Sequence, residues 1–383
     1  MDSGVSTAIP STMLVLVGEQ RIPNAIPVRQ FPSSIKRVEM IYSRFTEQAA
    51  NHLKSWLNQQ SVEVVDRTEL MPTNQVNDFN VQRSIVKTIL SDYKCDQVFV
   101  NLTGGTKIMS LAAAEVARGF CPTVYVDTEG DSIWWVHPEA RKETLKAQFT
   151  VEDFFRLHGQ SWKAPPLPSL EEQAVVRALA ANFEKLEPLL QYLKRQIDGK
   201  AFARRSLSGI EEQFLRNCEA ATLLARSDSH TGPSEWVSWR MGRGRFFKQN
   251  DWLEALAFAA CKDAGFDDVQ WKLPVSGTDT DIDIAATRGP LMLICSCKSG
   301  GFKNSHLDEL EAQARLIGGL FCKKSILLTE AIAFSRRRER HAVEQARLAL
   351  EGRAKALRIK PFYWADYVDL GQKMSKLLST GQR

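Results

Sequence analysis

Residues 97–119, QVFVNLTGGTKIMSLAAAEVARG, decide the fold of the amino-terminal half of this chain. The apolar run over 97–102 predicts a buried strand, and residues 107–118 have the spacing of a helix that ends before Gly119. Between them lies the short turn Thr103-Gly104-Gly105-Thr106-Lys107. A strand that passes through such a turn directly into a helix is typical of a βα unit in a parallel sheet.

The same alternation continues on both sides of this unit. Four more apolar runs predict strands, and helical spacing predicts two more helices. The strands are expected at 13–17, 37–42, 62–65 and 123–127, and the helices at 44–59 and 81–90. A tight turn then leads into an antiparallel edge strand over 132–136. The chain therefore predicts an α/β fold that begins with an open, doubly wound sheet.

The turn after the strand at 97–102 is a candidate phosphate-binding site, because ligands of open α/β sheets bind outside the carboxyl ends of the strands. Its glycines allow close backbone approach, and the free N–H groups of the helix start attract anions. Thr103 and Thr106 add hydroxyls, and Lys107 adds a positive charge. The spacing is neither GxGxxG nor GxxxxGK[ST], which disfavours ordinary nucleotide hydrolases. The alternative is a glycine-rich turn with a capping threonine.

A second polar loop follows the first predicted strand, over residues 18–24. In a parallel sheet this loop begins near the carboxyl end of the strand that precedes Thr103. Gln20, Arg21 and Asn24 could therefore contact the same ligand. An ordinary polar surface loop is the alternative.

The carboxy-terminal half has a different order of elements. A predicted helix over 248–265 is followed by three strands, a helix and a further strand. The three strands are expected at 269–273, 280–286 and 291–297, the helix at 307–316 and the last strand at 325–329. Arg288-Gly289-Pro290 predicts a hairpin turn. This order indicates an α/β layer with a mixed sheet.

Acidic and basic side chains follow the two strands of that hairpin. Asp281 and Asp283 alternate and share one face, Ser296 and Lys298 share a face on the next strand, and Glu254 lies on the preceding helix. Clustered carboxylates need a cation, and Mg²⁺ or Mn²⁺ prefers oxygen ligands and activates water for attack on phosphate. Lys298 could orient that water or stabilise the developing negative charge. The alternative is a hairpin with a solvated acidic face.

The composition is that of an ordinary soluble protein. The 383 residues carry a net charge of +5, and the absence of an apolar run of 18 or more residues predicts no membrane span or membrane partner. The first residues contain no basic stretch followed by an apolar one, so no secretory signal is expected. Seven scattered cysteines, an odd number, predict free thiols in a reducing cytoplasm. Basic residues concentrated over 336–360 could follow a phosphate backbone or form a solvated helix face.

Three regions are expected along the chain, which is long enough for two or three domains. Residues 1–149 form the first α/β domain. Residues 150–232 form a largely helical connector that contains the break Pro165-Pro166-Leu167-Pro168. Residues 233–383 form the second α/β domain.

Residues 12–136, with the strand and turn described above, resemble the CARF domain, the Rossmann-like sensor of type III CRISPR systems that binds cyclic oligoadenylates. Domains of that family dimerise, and their ring-shaped ligand lies across the twofold axis. The resemblance therefore implies a homodimer. It implies ligand contacts by five residues of the turn: Thr103, Gly104, Gly105, Thr106 and Lys107. Gln20 and Asn24 are implied as further contacts.

The carboxy-terminal half resembles the PD-(D/E)xK nuclease superfamily, in its restriction-endonuclease-like CRISPR branch. Four segments carry this resemblance: Trp252-Leu253-Glu254, Asp281-Ile282-Asp283, Cys295-Ser296-Cys297-Lys298-Ser299-Gly300 and Leu316-Ile317-Gly318-Gly319-Leu320. It implies metal ligation by Glu254, Asp281 and Asp283, and a catalytic set of Glu254, Asp283, Ser296 and Lys298. Ser296 departs from the family pattern, which has an acidic residue there, and a hydroxyl binds a divalent cation weakly.

The two resemblances together imply an endonuclease of type III CRISPR antiviral defence, activated by cyclic tetra-adenylate, that cleaves RNA or DNA with Mg²⁺ or Mn²⁺ and without sequence specificity. The alternative, motivated by Ser296, is a ligand-responsive nucleic-acid binder with a degenerate nuclease domain. In a third interpretation the first domain itself hydrolyses its cyclic ligand, although the sequence shows no clear general base for that reaction.

Overall fold

A computed structural model gives the fold of the chain. It describes residues 9–67, 75–127, 131–164, 166–195, 201–202, 207–227, 238–241, 246–247, 251–277, 281–299, 303–329 and 340–379. Within these ranges, no helix is both long enough and apolar enough to cross a membrane.

The first sheet has seven strands. They are β1 (Thr12–Leu16), β2 (Arg37–Ile41), β3 (Glu63–Asp66), β4 (Val98–Asn101), β5 (Thr123–Asp127), β6 (Ser132–His137) and β7 (Arg141–Thr144). Their order is β3-β2-β1-β4-β5-β6-β7. The first five run parallel, and β6 and β7 join antiparallel at one edge. The predicted doubly wound sheet and its antiparallel edge strand are confirmed, and β7 extends that edge.

Helices cover both faces of this sheet. They are α1 (Ile22–Gln30), α2 (Glu47–Gln59), α3 (Phe79–Leu90), α4 (Lys107–Ala117) and α5 (Val151–Leu157). Successive residues of a strand face opposite sides. Met13 and Val15 therefore share one core with α1 and α2, whereas Leu14 and Leu16 share another with α3 and α4.

Helix α1 begins inside the segment that was expected to be a polar loop. Pro23 lies in its first turn, where the missing N–H group is not needed, and residues 22–28 are buried. The loop after β1 therefore ends at Arg21, and Asn24 is a helical residue. Pro27 inside the helix interrupts the usual sequence signal of a helix, although the structure accommodates it.

The described residues in the middle of the chain form three long helices and a small antiparallel sheet. The helices are α6 (Leu170–Ala181), α7 (Phe183–Arg195) and α8 (Gly209–Ala220), and the strands are β8 (Ala201–Phe202), β9 (Leu224–Ser227) and β10 (Ser238–Met241), in the order β8-β10-β9. The helices agree with the expected helical connector. The small sheet was not predicted, because strands this short show no clear period.

The second large sheet has five strands: β11 (Asp268–Leu273), β12 (Ile282–Arg288), β13 (Leu291–Lys298), β14 (Cys322–Leu328) and β15 (Ile359–Phe362), paired in that order. Strand β12 is antiparallel to both of its neighbours, β11 and β13, and β14 and β15 run parallel to β13. The accompanying helices are α9 (Asp251–Asp263), α10 (Ser305–Ile317), α11 (Arg340–Ala356) and α12 (Leu370–Leu378). The predicted mixed sheet is confirmed.

Helix α5 joins the two α/β parts. Asp153 on α5 accepts hydrogen bonds from Arg29 on α1 (2.7 Å) and from the indole of Trp56 on α2 (2.8 Å). The N–H group of Val151, at the start of α5, donates to Asp268 on β11 (2.9 Å). The same helix therefore holds the first sheet's helices and the edge of the second sheet.

Candidate functional site

The turn between β4 and α4 packs directly against the end of β1. A Cβ atom on Gly104 would lie 2.0 Å from the carbonyl oxygen of Leu16, so only glycine fits there. Gly105 has a φ of +69°, which favours glycine, and a Cβ atom on it would lie 2.8 Å from the Leu16 Cβ atom. Both glycines are therefore required by the close approach of two backbone segments at the carboxyl edge of the sheet.

Two buried asparagines hold this turn. Asn101 donates from Nδ2 to the carbonyl oxygen of Pro23 (3.1 Å) and to Asn24 Oδ1 (3.2 Å), and its Oδ1 accepts from the Thr103 N–H group (3.0 Å). Asn24 Nδ2 donates to the carbonyl oxygen of Leu16 (3.2 Å). Asn24 is only 1% exposed and supports the turn from below. The ligand contact expected of it stays a prediction. Sequence reasoning missed Asn101, although a polar residue at the end of an apolar strand was a visible signal.

The other polar residues of the turn surround a helix N-terminus. Thr103 Oγ1 accepts from the Val126 N–H group (2.7 Å), and Thr106 Oγ1 accepts from the Met109 N–H group (3.2 Å). Thr106 is therefore the N-cap of α4, as the alternative of a capped turn predicted. Each hydroxyl keeps its own hydrogen for a further acceptor, and Lys107 is exposed. The arrangement suits an anion.

Gln20, in the loop after β1, lies against the second α/β part. A Cβ atom on Gly319, in the turn after α10, would lie 3.2 Å from both Nε2 and Oε1 of Gln20. Gly319 has a φ of +55°, which also favours glycine. The carboxyl edge of the first sheet thus touches the turn after α10, a contact that no sequence pattern indicates.

The β12–β13 hairpin brings Asp283, Ser296 and Lys298 together. Asp283 Oδ2 accepts from the Ser296 hydroxyl (3.1 Å), the Cys297 N–H group (2.6 Å) and the Lys298 ammonium group (3.4 Å). Within the described ranges no donor reaches its Oδ1. Burial alone would lower the pKa of Lys298, but the Asp283 carboxylate holds that pKa above its ordinary value. Asp283, Ser296 and Lys298 therefore form a centre in which a cationic lysine lies beside a carboxylate.

Glu254 on α9 faces the same centre. Its Oε2 atom is buried and makes no hydrogen bond to any described residue, and Lys272 Nζ lies 3.7 Å away. Burial, followed by the negative charge of Asp283, raises the pKa of Glu254 to about 8. An unbonded carboxylate oxygen near a second carboxylate is an arrangement that a divalent cation would neutralise. The oxygen donors of Glu254, Asp283 and Ser296 therefore fit Mg²⁺ or Mn²⁺.

Asp281 does not join this pair. It precedes β12, its side chain is exposed, and its backbone carbonyl accepts from Gln313 Nε2 on α10 (3.3 Å). Among the described residues, no group of three or more histidine, cysteine, aspartate or glutamate side chains is close enough to hold a metal ion. The expected set of Glu254, Asp281 and Asp283 is thus not assembled here, because Asp281 lies outside the strand ladder that orients Asp283.

One residue near this centre comes from the connector, where sequence reasoning expected no chemistry. Lys194 on α7 donates from Nζ to the hydroxyl of Ser299 (3.3 Å), the residue after Lys298. The same Nζ lies 5.7 Å from the ring centroid of Trp252, two residues before Glu254. Only the tertiary structure places Lys194 between the two segments that carry the candidate catalytic groups.

The basic run at 336–360 is partly paired with acidic residues. Arg347 lies 3.3 Å from Glu351, and Arg353 lies 2.7 Å from Asp308. Residues 336–339 lie outside the described ranges. Exposed pairs of this kind favour the interpretation of a solvated helix face over a track for nucleic acid.

Several solved structures share this fold. Protein VC1899 from Vibrio cholerae aligns with a TM-score of 0.74 at 17% identity, over 97% of this chain and 99% of that chain. Can2 from Sulfobacillus thermosulfidooxidans, solved in complex with cyclic tetra-adenylate, aligns with a TM-score of 0.69 at 17% identity, over 97% and 98%. A type III CRISPR defence DNA nuclease activated by cyclic oligoadenylate aligns with a TM-score of 0.53 at 14% identity, over 84% of this chain and 45% of that chain.

The amino-terminal part also matches a family by sequence. No curated protein matches the chain. Residues 12–154, however, match the family described as the Card1 CARF domain. This range contains the whole seven-stranded sheet and the turn that only glycine can form. Residues 12–154 of this chain are therefore similar in sequence to the Card1 CARF domain.

Proposed function

We propose that the protein is a type III CRISPR effector whose CARF domain binds cyclic tetra-adenylate. The observation that carries the proposal is the approach of Gly104 to Leu16, which keeps a helix N-terminus open beside two threonine hydroxyls and Lys107. We call the turn at residues 103–107 the cradle, and its donors match a ring of repeated phosphates. The complex of Can2 with cyclic tetra-adenylate supports this choice of ligand.

The protein acts as a homodimer in this proposal, with two cradles around one ring. Tyr125, Trp134 and Val136 alternate with core residues on β5 and β6, so they lie on the α4 side of the sheet. All three are exposed, as is Leu111 on α4 itself. Leu111 lies one helical turn after Lys107, so a partner that covers this apolar surface would lie beside the cradle. Twofold symmetry would then bring two cradles together.

The second α/β part acts as a metal-dependent endonuclease on RNA or DNA. Glu254 and Asp283 hold Mg²⁺ or Mn²⁺, with the Ser296 hydroxyl as a weaker oxygen donor. When bound, such an ion supplies an activated water for attack on a phosphodiester. Lys298, held by Asp283, stabilises the negative charge that develops on the phosphate. Lys194 contacts a neighbouring phosphate of the substrate.

Gln20 couples the ligand to the nuclease centre. Its amide touches Gly319, and the helix before that turn, α10, holds the backbone of Asp281 through Gln313. A ligand that engages Gln20 therefore changes the support of the segment next to Asp283. Activation requires that the ligand binds the cleaving arrangement more tightly than the resting one.

A cleavage assay tests the proposal. Supercoiled plasmid and single-stranded RNA are incubated with the protein, with and without cyclic tetra-adenylate and Mn²⁺. We expect cleavage only when both are present. Cleavage at the same rate without the nucleotide would contradict the sensing role, and calorimetry that detects no binding of the nucleotide would contradict the ligand.

Ser296 supports one alternative, a ligand-responsive nucleic-acid binder. Its hydroxyl donates to Asp283 at the position where the nuclease superfamily has an acidic metal ligand. Ligand-dependent binding of an oligonucleotide without cleavage would favour this alternative. Cleavage by the Ser296→Glu variant alone would then show that this one position had removed the activity.

A further inference from the structure

Lys272 has a strained backbone inside a strand. Its φ is +51°, in the left-handed region that residues with a Cβ atom rarely adopt. Of the described non-glycine residues with a positive φ, it is the only one that lies within a strand, β11. The others lie in turns: Ser61, Asp131, Thr222 and Arg358. Strain of this kind persists only where the surrounding structure imposes it, so it points to a contact of the Lys272 side chain.

The left-handed conformation turns the side chain of Lys272 toward helix α9. Neighbouring residues of a regular strand point to opposite faces of the sheet. Lys272 Nζ nevertheless lies 4.8 Å from the ring centroid of Trp271. The Trp271 ring packs against Phe258 of α9, with 6.4 Å between the ring centroids. The ammonium group therefore lies on the α9 side of the strand.

Two carboxylates of α9 contact this ammonium group. Lys272 Nζ lies 2.7 Å from Asp251 Oδ1 and 3.7 Å from Glu254 Oε2. Asp251 and Glu254 are three residues apart and lie on the same side of the helix, where their negative charges repel each other. Their side chains are only 18% and 14% exposed, so water screens this repulsion weakly. Lys272 therefore supplies a positive charge that both carboxylates share.

Lys272 is also a neighbour of Asp283, the other proposed metal ligand. The pairing of β11 with β12 continues on both sides of Lys272, and its register places Lys272 opposite Asp283 without pairing the two residues. The lysine thus lies at the edge of the site that the proposed function assigns to a divalent cation.

We propose that Lys272 is the resident counter-ion of the centre and competes with the metal ion for Glu254. In the metal-free protein, its ammonium group neutralises both carboxylates of α9. When a divalent cation binds Glu254, the two positive charges repel each other, and Lys272 keeps only its shorter contact with Asp251. The lysine thus keeps the acidic centre assembled without metal and lowers its metal affinity. The competing metal ion rests on the proposed function, whereas the ion pairs of Lys272 do not.

Two measurements on the full-length protein test this role. Calorimetry gives the affinity for Mg²⁺ at about pH 8.5, above the pKa of about 8 to which burial raises Glu254. Thermal unfolding is followed in chelator and in saturating Mg²⁺. The variants are Lys272→Met, which removes the charge, and Lys272→Arg, which keeps it. The matched control is Lys323→Met, which removes the charge of an exposed lysine on β14 of the same sheet.

We expect Lys272→Met to bind Mg²⁺ at least about tenfold more tightly than the wild type and the control, because a competing positive charge is gone. Its unfolding temperature in chelator should be lower than theirs, because Asp251 and Glu254 lose their shared counter-ion. Saturating Mg²⁺ should remove that difference. Lys272→Arg should resemble the wild type in both measurements.

A lysine with a merely structural role would not raise the metal affinity when it is removed. A Mg²⁺ affinity of Lys272→Met that is equal to or below that of the wild type would overturn the competition. An unchanged unfolding temperature of Lys272→Met in chelator would overturn the counter-ion. If the wild type binds no Mg²⁺, the metal site of the proposed function fails, while the comparison in chelator still decides whether Lys272 is the counter-ion.

Discussion

The cradle after β4 and the centre on the β12–β13 hairpin differ in how completely the chain satisfies its own polar groups. In the cradle, the side-chain amides of Asn101 and Asn24 are bonded to backbone or to each other. In the centre, a buried oxygen of Glu254 has no hydrogen bond among the described residues, and the pKa of that residue is raised to about 8. The fold itself therefore satisfies the amides of the cradle, whereas the centre keeps a buried carboxylate oxygen that has no hydrogen bond from any described residue.

The largest expected effect comes from removing the charge of Lys298, which should affect the centre and leave the cradle unchanged. In Lys298→Ala, the rate of plasmid cleavage should fall at least about a hundredfold, because the developing charge on the phosphate loses its fixed partner. The affinity for cyclic tetra-adenylate should not change, because Lys298 is held by Asp283 in the other α/β part. Initial rates with Mn²⁺ and calorimetry measure the two properties. Lys323→Ala, at an exposed position of β14, is the control, and cleavage at the parent rate would remove Lys298 from its assigned role.

A methyl group on Gly104 should damage the other region. The added Cβ atom would lie 2.0 Å from the Leu16 carbonyl oxygen, so the turn must open. We expect Gly104→Ala to bind cyclic tetra-adenylate at least about tenfold more weakly. Gly119→Ala, at the other end of α4, is the matched control because a Cβ atom there meets no atom within 4 Å. Equal affinities of the two variants in calorimetry would show that the turn does not form the ligand site.

The raised pKa of Glu254 predicts a pH dependence of stability. Because its pKa is raised when the protein folds, the folded state favours the protonated form, and that advantage is lost as the pH rises through about 8. Without metal, the unfolding free energy of the wild type should fall relative to Glu254→Gln between about pH 5 and 8.5, by at least about 1.4 kcal/mol, the equivalent of one pKa unit. Mn²⁺ should restore the stability that the wild type loses. Urea unfolding in chelator at several pH values measures the unfolding free energy of both proteins. If the two free energies change in parallel with pH, the raised pKa of Glu254 is contradicted.

A smaller effect is expected from Lys194, which would extend the centre into the connector. If it contacts a substrate phosphate, Lys194→Ala reduces the slope of log affinity against log salt concentration by about one. KM should rise severalfold with little change in kcat. Fluorescence anisotropy of a labelled oligonucleotide in chelator gives the slope. Lys185→Ala, at an exposed position of the same helix, is the control, and equal slopes for both variants would place Lys194 outside the substrate path.

The smallest effect concerns the contact that connects the two regions. Gly319→Ala imposes a side chain on a φ of +55° and presses it against Gln20. A strain on the order of 1 kcal/mol should shift the concentration of cyclic tetra-adenylate that gives half-maximal cleavage by about fivefold. Gly352→Ala on α11, where a Cβ atom meets nothing within 4 Å, is the control. An unchanged activation curve would show that coupling does not pass through Gly319.

The sequence predicted the cradle better than the centre because the cradle is built from neighbours along the chain. The run from β4 through Thr103-Gly104-Gly105-Thr106-Lys107 into α4 is local, and its glycines and its capping threonine follow local rules. The prediction of a loop around Asn24 was wrong because the two prolines of α1 concealed a buried helix. Asn101 was missed because its partner on α1 is distant in sequence.

In the centre, alternation along two strands correctly paired Asp283 with Ser296 and Lys298. It also grouped Asp281 with them, because period-two alternation does not show where a strand begins. The strand starts at Ile282, so Asp281 stays exposed. Glu254 was placed by resemblance. The burial of its Oε2 atom without a hydrogen bond from any described residue depends on packing, which the sequence does not show.

By itself, the sequence determined the two α/β layers, the glycine turn and the hairpin, because periodicity and backbone sterics act between near neighbours. Only the tertiary structure decided that Gln20 touches Gly319 and that Lys194 reaches the hairpin. Each of these contacts joins two segments that are distant in sequence. Burial also determines how unfavourable the desolvation of a charged group is. Burial depends on the whole fold, so no local pattern could have revealed that the Oε2 atom of Glu254 is buried without a hydrogen bond from any described residue.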